Sequence, residues 1–338
     1  MQEMFDLQKQ PTLTYAFNWS NDMLEQMQDR LLPLAESVPD VTIAAVSGSL
    51  GRLEGMSHSD CDLIVLVNDD AIHEPDRCQK AMQAVWEALE PLGMPLPKST
   101  GIYVTPASHG QICDYSTLGL IADDKNIFGK RMQVLLDAKP IYGEDNFQKL
   151  VQGLLERYAA GFLIHDQKKE WVYLLNDLIR YFRSYCAWHQ FDLSNDPIDS
   201  WHMRNTKLRN SRIPMFAALI FLLGECSKEK KDKIGWLNEH LLLSPMQRIE
   251  KVYALNNDGG FNILLDAYEV FMTRMNSPED RKVLVEASPK SLEELRAIDL
   301  PVYNELHANS DIIIKELTRF VLDRRGDWSE AFFEYLLF

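Results

Sequence analysis

The run CDLIVLV, Cys61–Val67, is apolar at every position except Asp62. A strand that is apolar on both faces belongs in the middle of a sheet covered on each side. A second short β-forming run, VTIAAV, Val41–Val46, precedes it and ends in Ser47-Gly48-Ser49. LGRLEGM then reads as a helical turn. Alternation along a strand sends residues two apart to the same face, so Asp60 and Asp62 point the same way. A buried carboxylate is costly without a partner, and two side by side repel. A divalent cation answers both problems. Mg²⁺ keeps several waters and is typically held by one or two carboxylates plus phosphate oxygens. Gly48 lets backbone approach a phosphate closely. The Ser49 hydroxyl and the amides of the turn can donate to phosphate oxygens, and Arg52 can add a full charge.

The surrounding pattern fits a small sheet. From Asn21, Met23, Met27, Leu31 and Leu34 have helical spacing, and Pro33 should stop that helix near Leu32. Residues 74–89 read as a helix, and GIYVT, Gly101–Thr105, as a third strand. The first 110 or so residues are thus α-β-turn-β-α-β. After Asp114 the spacing turns helical, over 125–138, 145–163, 166–190, 200–225, 246–256, 260–275, 291–297 and 310–323. The expected class is α+β, with a small mixed sheet in a domain at 1–124 and an all-α domain at 125–338.

Charge narrows the partners. The 338 residues carry a formal net charge of −15, which argues against bulk binding to nucleic acid or anionic membrane and leaves room for a local basic pocket. Cys61, Cys78, Cys113, Cys186 and Cys226 have no CxxC spacing, so a reduced, cytoplasmic setting is expected. MQEMFDLQKQ is no secretory signal, and IPMFAALIFLLG from Ile213 is too short to span a bilayer and reads as a core helix. The charged run Lys228–Lys233 reads as a solvated loop or helix end.

Gly48-Ser49 followed, after Leu50–Ser59, by Asp60-x-Asp62 resembles the nucleotidyltransferase superfamily related to DNA polymerase β. Arg131–Leu150, RMQVLLDAKPIYGEDNFQKL, is similar to the segment after the catalytic domain in nucleotidyltransferases related to the PII-protein uridylyltransferase. That segment has no obvious chemistry of its own and reads as packing. The resemblance implies transfer of a nucleoside monophosphate from an NTP to a hydroxyl of a protein or small-molecule acceptor. It implies that Gly48 and Ser49 bind the triphosphate, and that Asp60 and Asp62 bind Mg²⁺ or Mn²⁺. The family often carries a third carboxylate on a later strand. GIYVT has none, which leaves Asp114 as the candidate catalytic acid. If no third acid exists, a regulatory module that binds Mg·NTP without turnover is the alternative.

Two further segments carry competing readings. Arg183 and His189 in RSYCAWH have the spacing of the HEPN ribonuclease motif, with Ser184 where that motif usually has Asn. This admits a toxin–antitoxin protein with a HEPN-like helical half, against a chance pairing on a long helix. Arg204 and Lys207 are three residues apart, as are Arg209 and Arg212, which allows two basic stripes on a helix, with Lys207 a candidate nucleotide contact, against a solvated face paired with acids. A glycosyltransferase using Asp-x-Asp is the most distant option. His58 and Ser59 read as loop residues.

Overall fold

The computed structural model describes residues 8–95, 101–164, 170–191, 201–228, 232–287, 292–297 and 299–337. Two compact units emerge, one from Ala16–Asp177 and Glu229–Ser244, the other from Met1–Tyr15, Leu178–Lys228 and Pro245–Leu337.

The first unit holds the sheet. Helix α1 (Pro11–Leu31) and a single turn, α2 (Leu34–Ser37), lead into β1 (Val41–Ser47). The turn α3 (Gly48–Gly51) connects to β2 (Asp62–Val67), then α4 (Pro75–Leu89), β3 (Ala107–Ser108) and α5 (His109–Ile112). Helix α6 (Lys125–Leu136), β4 (Lys139–Tyr142) and α7 (Glu144–Ile164) follow, then α8 (Val172–Phe191) begins. The strand order is β3-β2-β1-β4, with β1 antiparallel to β2 and β4, and β2 parallel to β3. The α+β expectation of a small mixed sheet with helices is met.

The local causes are readable. Pro33 cannot continue a helix, and α1 stops at Leu31. It starts ten residues earlier than the spacing from Asn21 predicts, because Pro11 suits a first helical position and buried Leu13 and Ala16 extend the apolar stripe. Helix α4 opens on Pro75 and buries Ala81, Val85 and Leu89, one residue per turn. Asp124 caps α6 by accepting from the amides of Asn126 and Ile127. Val41, Ala44, Val46, Leu63, Val65 and Val67 join Met27, Leu31 and α4 in one core cluster.

GIYVT is not a strand. The strand that pairs beside β2 comes later, at Ala107 and Ser108, opposite Leu66 and Val67. Gly101 is left-handed, with φ +100°, which breaks an extended run. The segment packs on α6 instead: Ile102 lies where a side chain at Gly129 would go, and Lys130 Nζ donates to the Ile102 carbonyl.

The second unit is helical. It contains the rest of α8, α9 (Trp201–Lys207), a π-helical turn at Leu208–Arg212 and α10 (Ile213–Cys226). Helix α11 (Lys233–Leu241) returns to the first unit, and α12 (Pro245–Leu255), α13 (Phe261–Asn276), α14 (Pro278–Glu286), α15 (Leu292–Ala297), α16 (Pro301–Asp323) and α17 (Glu330–Leu337) complete the chain. Pro214 has no N–H to give to the helical ladder, and the wider π turn lies immediately before it. The apolar run from Ile213 is the core helix expected. Phe221 and Tyr253 flank Phe320, ring centroids 4.9 and 4.0 Å away. No described helix is long and apolar enough to cross a membrane.

Candidate functional site

The antiparallel register brings the two halves of the motif together. Ser47, the last residue of β1, pairs with Asp62, the first of β2. Gly48 follows immediately, with φ +74°, a conformation that favours glycine. A Cβ on Gly48 would lie 2.5 Å from Asp62 Oδ2. The glycine turn therefore packs directly on the second aspartate. Leu50 is fully buried and anchors the turn, while Gly48 and Ser49 stay half-buried.

Asp60, Cys61 and Asp62 alternate as a strand entry should. Cys61 is buried and the aspartates are not: Asp60 is exposed and Asp62 half-buried. Burial, then the charges of Asp62 and Asp60, push the Cys61 thiol up to about 12, so it stays neutral. No group of three or more His, Cys, Asp and Glu among the described residues is placed to hold a metal. Two hard oxygen donors beside a glycine cradle fit an ion that completes its shell with phosphate oxygens and water. They do not fit a closed structural cage.

Behind the turn sits a residue that the sequence reading passed over. Asp137 directly follows α6 and is 2 % exposed. Its Oδ1 accepts from Ser47 Oγ at 2.8 Å, and its Oδ2 from Gly48 N at 3.1 Å and Arg52 Nη1 at 2.8 Å. Burial pushes this carboxyl up, and Arg52, Ser47 and Gly48 pull it back down. Three donors on two oxygens is the geometry of an ionised carboxylate. Gln133 Oε1, one turn earlier on α6, also lies 2.7 Å from Ser47 Oγ, so it shares that hydroxyl's single proton with Asp137. The signal was present in the sequence: one acid between Leu136 and Ala138, at the end of an apolar helix, raises the same question as Asp60 and Asp62.

Arg52 is buried within this network. Besides Asp137 it binds Glu54, Nε to Oε2, at 3.0 Å. Between Arg52 and Glu54 the chain passes through Leu53 at φ +63°, a left-handed leucine held by the pairing on either side. Ser59 Oγ accepts from Met56 N, which makes it a turn residue.

Asp114 lies away from this turn. Strand β3 pairs with the last residues of β2, the end opposite Asp62. Asp114 follows it, is exposed, and caps the turn at Tyr115–Thr117 by accepting from Ser116 N and Oγ. Those Ser116 bonds hold its carboxyl below the usual range. Lys207 is half-buried in α9, in the helical unit. Arg209 is engaged by Ser310 and Asp311. Arg183 is exposed and His189 buried on the same helix, α8, so the two do not converge.

Residues 13–117 match the family model described as "Putative nucleotidyltransferase DUF294". A search of curated proteins finds no match to the chain. The matched stretch runs from α1 to the turn at Tyr115–Thr117 and contains Gly48, Ser49, Asp60 and Asp62, which supports a nucleotidyltransferase-superfamily domain over residues 13–117.

Proposed function

We propose that the chain transfers a nucleoside monophosphate from a metal-bound NTP to a hydroxyl of a protein or small-molecule acceptor. The acceptor oxygen bonds to the α-phosphorus, the bond to the β-phosphate oxygen breaks, and pyrophosphate leaves. The observation that carries this reading is the Ser47–Asp62 register, which packs the Gly48 turn on Asp62 within a stretch that matches the family. Gly48 admits the triphosphate without a side chain in its way, and the Ser49 hydroxyl donates to it. Asp60 and Asp62 hold Mg²⁺ or Mn²⁺, which when bound neutralises charge on the phosphates and the departing pyrophosphate. Asp137 and Arg52 fix the turn from behind. The net charge of −15 favours an acceptor other than bulk nucleic acid.

A non-catalytic Mg·NTP-binding module is the second reading. It is favoured by the placement of Asp114 beyond the far end of β2, which leaves two acids at the proposed metal site.

Calorimetry of NTP binding, with Mg²⁺ and with EDTA, tests the shared core of both readings. The native chain binds only with metal, and Asp60→Asn/Asp62→Asn abolishes binding. Absence of binding by the folded native chain sinks both. Incubation with α-labelled NTP in lysate then separates them: label on an acceptor supports transfer, and binding without label supports the module.

A further inference from the structure

The helical unit contains a second cluster that the nucleotide site does not use. His189, near the end of α8, is 3 % exposed, and neither ring nitrogen has a hydrogen-bond partner among the described residues. A neutral imidazole has one donor and one acceptor, and burying both unpaired is unfavourable. Tyr185 and Trp188 flank the ring, with centroids 4.2 and 4.5 Å away. Two guanidiniums lie over those aromatics: Arg204 5.6 Å from Trp188, and Arg212 5.3 Å from Tyr185. Arg204 Nε and Nη2 are also buried without an acceptor among the described residues.

Stacking on an aromatic face satisfies the cation's charge but not its in-plane N–H groups, which need acceptors. Arg209, in the same basic segment, has such an acceptor in Asp311. The charges that act on His189 are those of Arg212 and Arg204, which with the larger effect of burial push it down to about 3. Two cations and a donor-bearing ring therefore converge with no carboxylate to answer them among the described residues. The complement is compact, anionic and rich in acceptors.

We propose that His189, Arg204 and Arg212 form a binding site for a phosphate group. Arginine presents a planar fork that matches phosphate oxygens, and a bound dianion also stabilises the imidazolium. Binding is accordingly coupled to proton uptake at His189. Trp188, 53 % exposed, provides a flat wall beside the site, so the phosphate is either free or carried on a planar organic group.

The test is calorimetry of the full chain with inorganic phosphate and, separately, with AMP in EDTA, which disables the metal site. Saturable binding is expected, weakened about tenfold or more by Arg204→Gln and by Arg212→Gln, and unchanged by Asp60→Asn/Asp62→Asn. Equal affinity for the two probes identifies free phosphate as the ligand, and tighter AMP binding identifies a phosphate on a planar carrier. Histidine-labelled NMR of the native chain needs no arginine variant. With its resonance assigned by His189→Gln, phosphate moves His189 towards the imidazolium signature. No binding of either probe, binding indifferent to both arginine variants, or an unresponsive His189 resonance overturns the proposal.

Discussion

The carboxylate of Asp62 occupies the place where any side chain at Gly48 would begin, 2.5 Å from the ideal Cβ position. Gly48→Ala therefore meets two penalties. A left-handed alanine costs roughly 1–2 kcal/mol, and the new methyl displaces Asp62. Chemical denaturation should show the loss of stability. Calorimetry should show weaker metal-dependent NTP binding. An alanine variant that binds NTP as the native chain does would place the phosphates away from this turn.

The Asp137–Arg52 pair is expected to be coupled. Breaking a buried ion pair by removing one partner costs about 3–5 kcal/mol, and Asp137→Asn also weakens the acceptor for Gly48 N. A double-mutant cycle of Asp137→Asn with Arg52→Met should give a coupling of about 1 kcal/mol or more. Purely additive effects would mean that the two side chains act independently.

Lys130 provides a pH test. It is fully buried, and burial holds its ammonium down to about 8 against an ordinary 10.5, with Asp124 opposing. Between those values the unfolded chain binds the proton and the folded chain does not, so stability rises with pH across that window. The gain is at most roughly 3 kcal/mol. The buried Cys61 thiol, raised to about 12, works in the opposite sense over the same window, so the signal is the difference between the native chain and Lys130→Met in urea unfolding at pH 8 and at pH 10.5.

Packing in the helical unit is tested at Gly224. A Cβ there would lie 2.4 Å from the Trp328 ring, whose Nε1 donates to Glu225 at 3.0 Å. Gly224→Ala should destabilise the unit by about 1–3 kcal/mol. The change in tryptophan fluorescence should follow the same unfolding transition.

Most of the sheet was legible. VTIAAV and CDLIVLV became β1 and β2 because continuous β-branched runs bury both faces only in central strands. GIYVT misled because its composition suits a strand while its Gly101 turn and its contact with α6 take it out of the sheet. Strand β4, at Lys139–Tyr142, joins β1 from beyond residue 124, where the composition had already turned helical. A four-residue strand is too short to show a period of its own.

The sequence by itself determined the chemistry available to the site: a glycine able to turn tightly, a serine hydroxyl and two aspartates two residues apart. Those are local properties, set by side-chain identity and by the alternation of a strand. Only the tertiary structure decided which charges stand behind them. Arg52 looked free to meet a phosphate, and it is paired with Asp137, 85 residues away. No local pattern specifies such a partner, because it depends on which helix end the packed core brings against the turn.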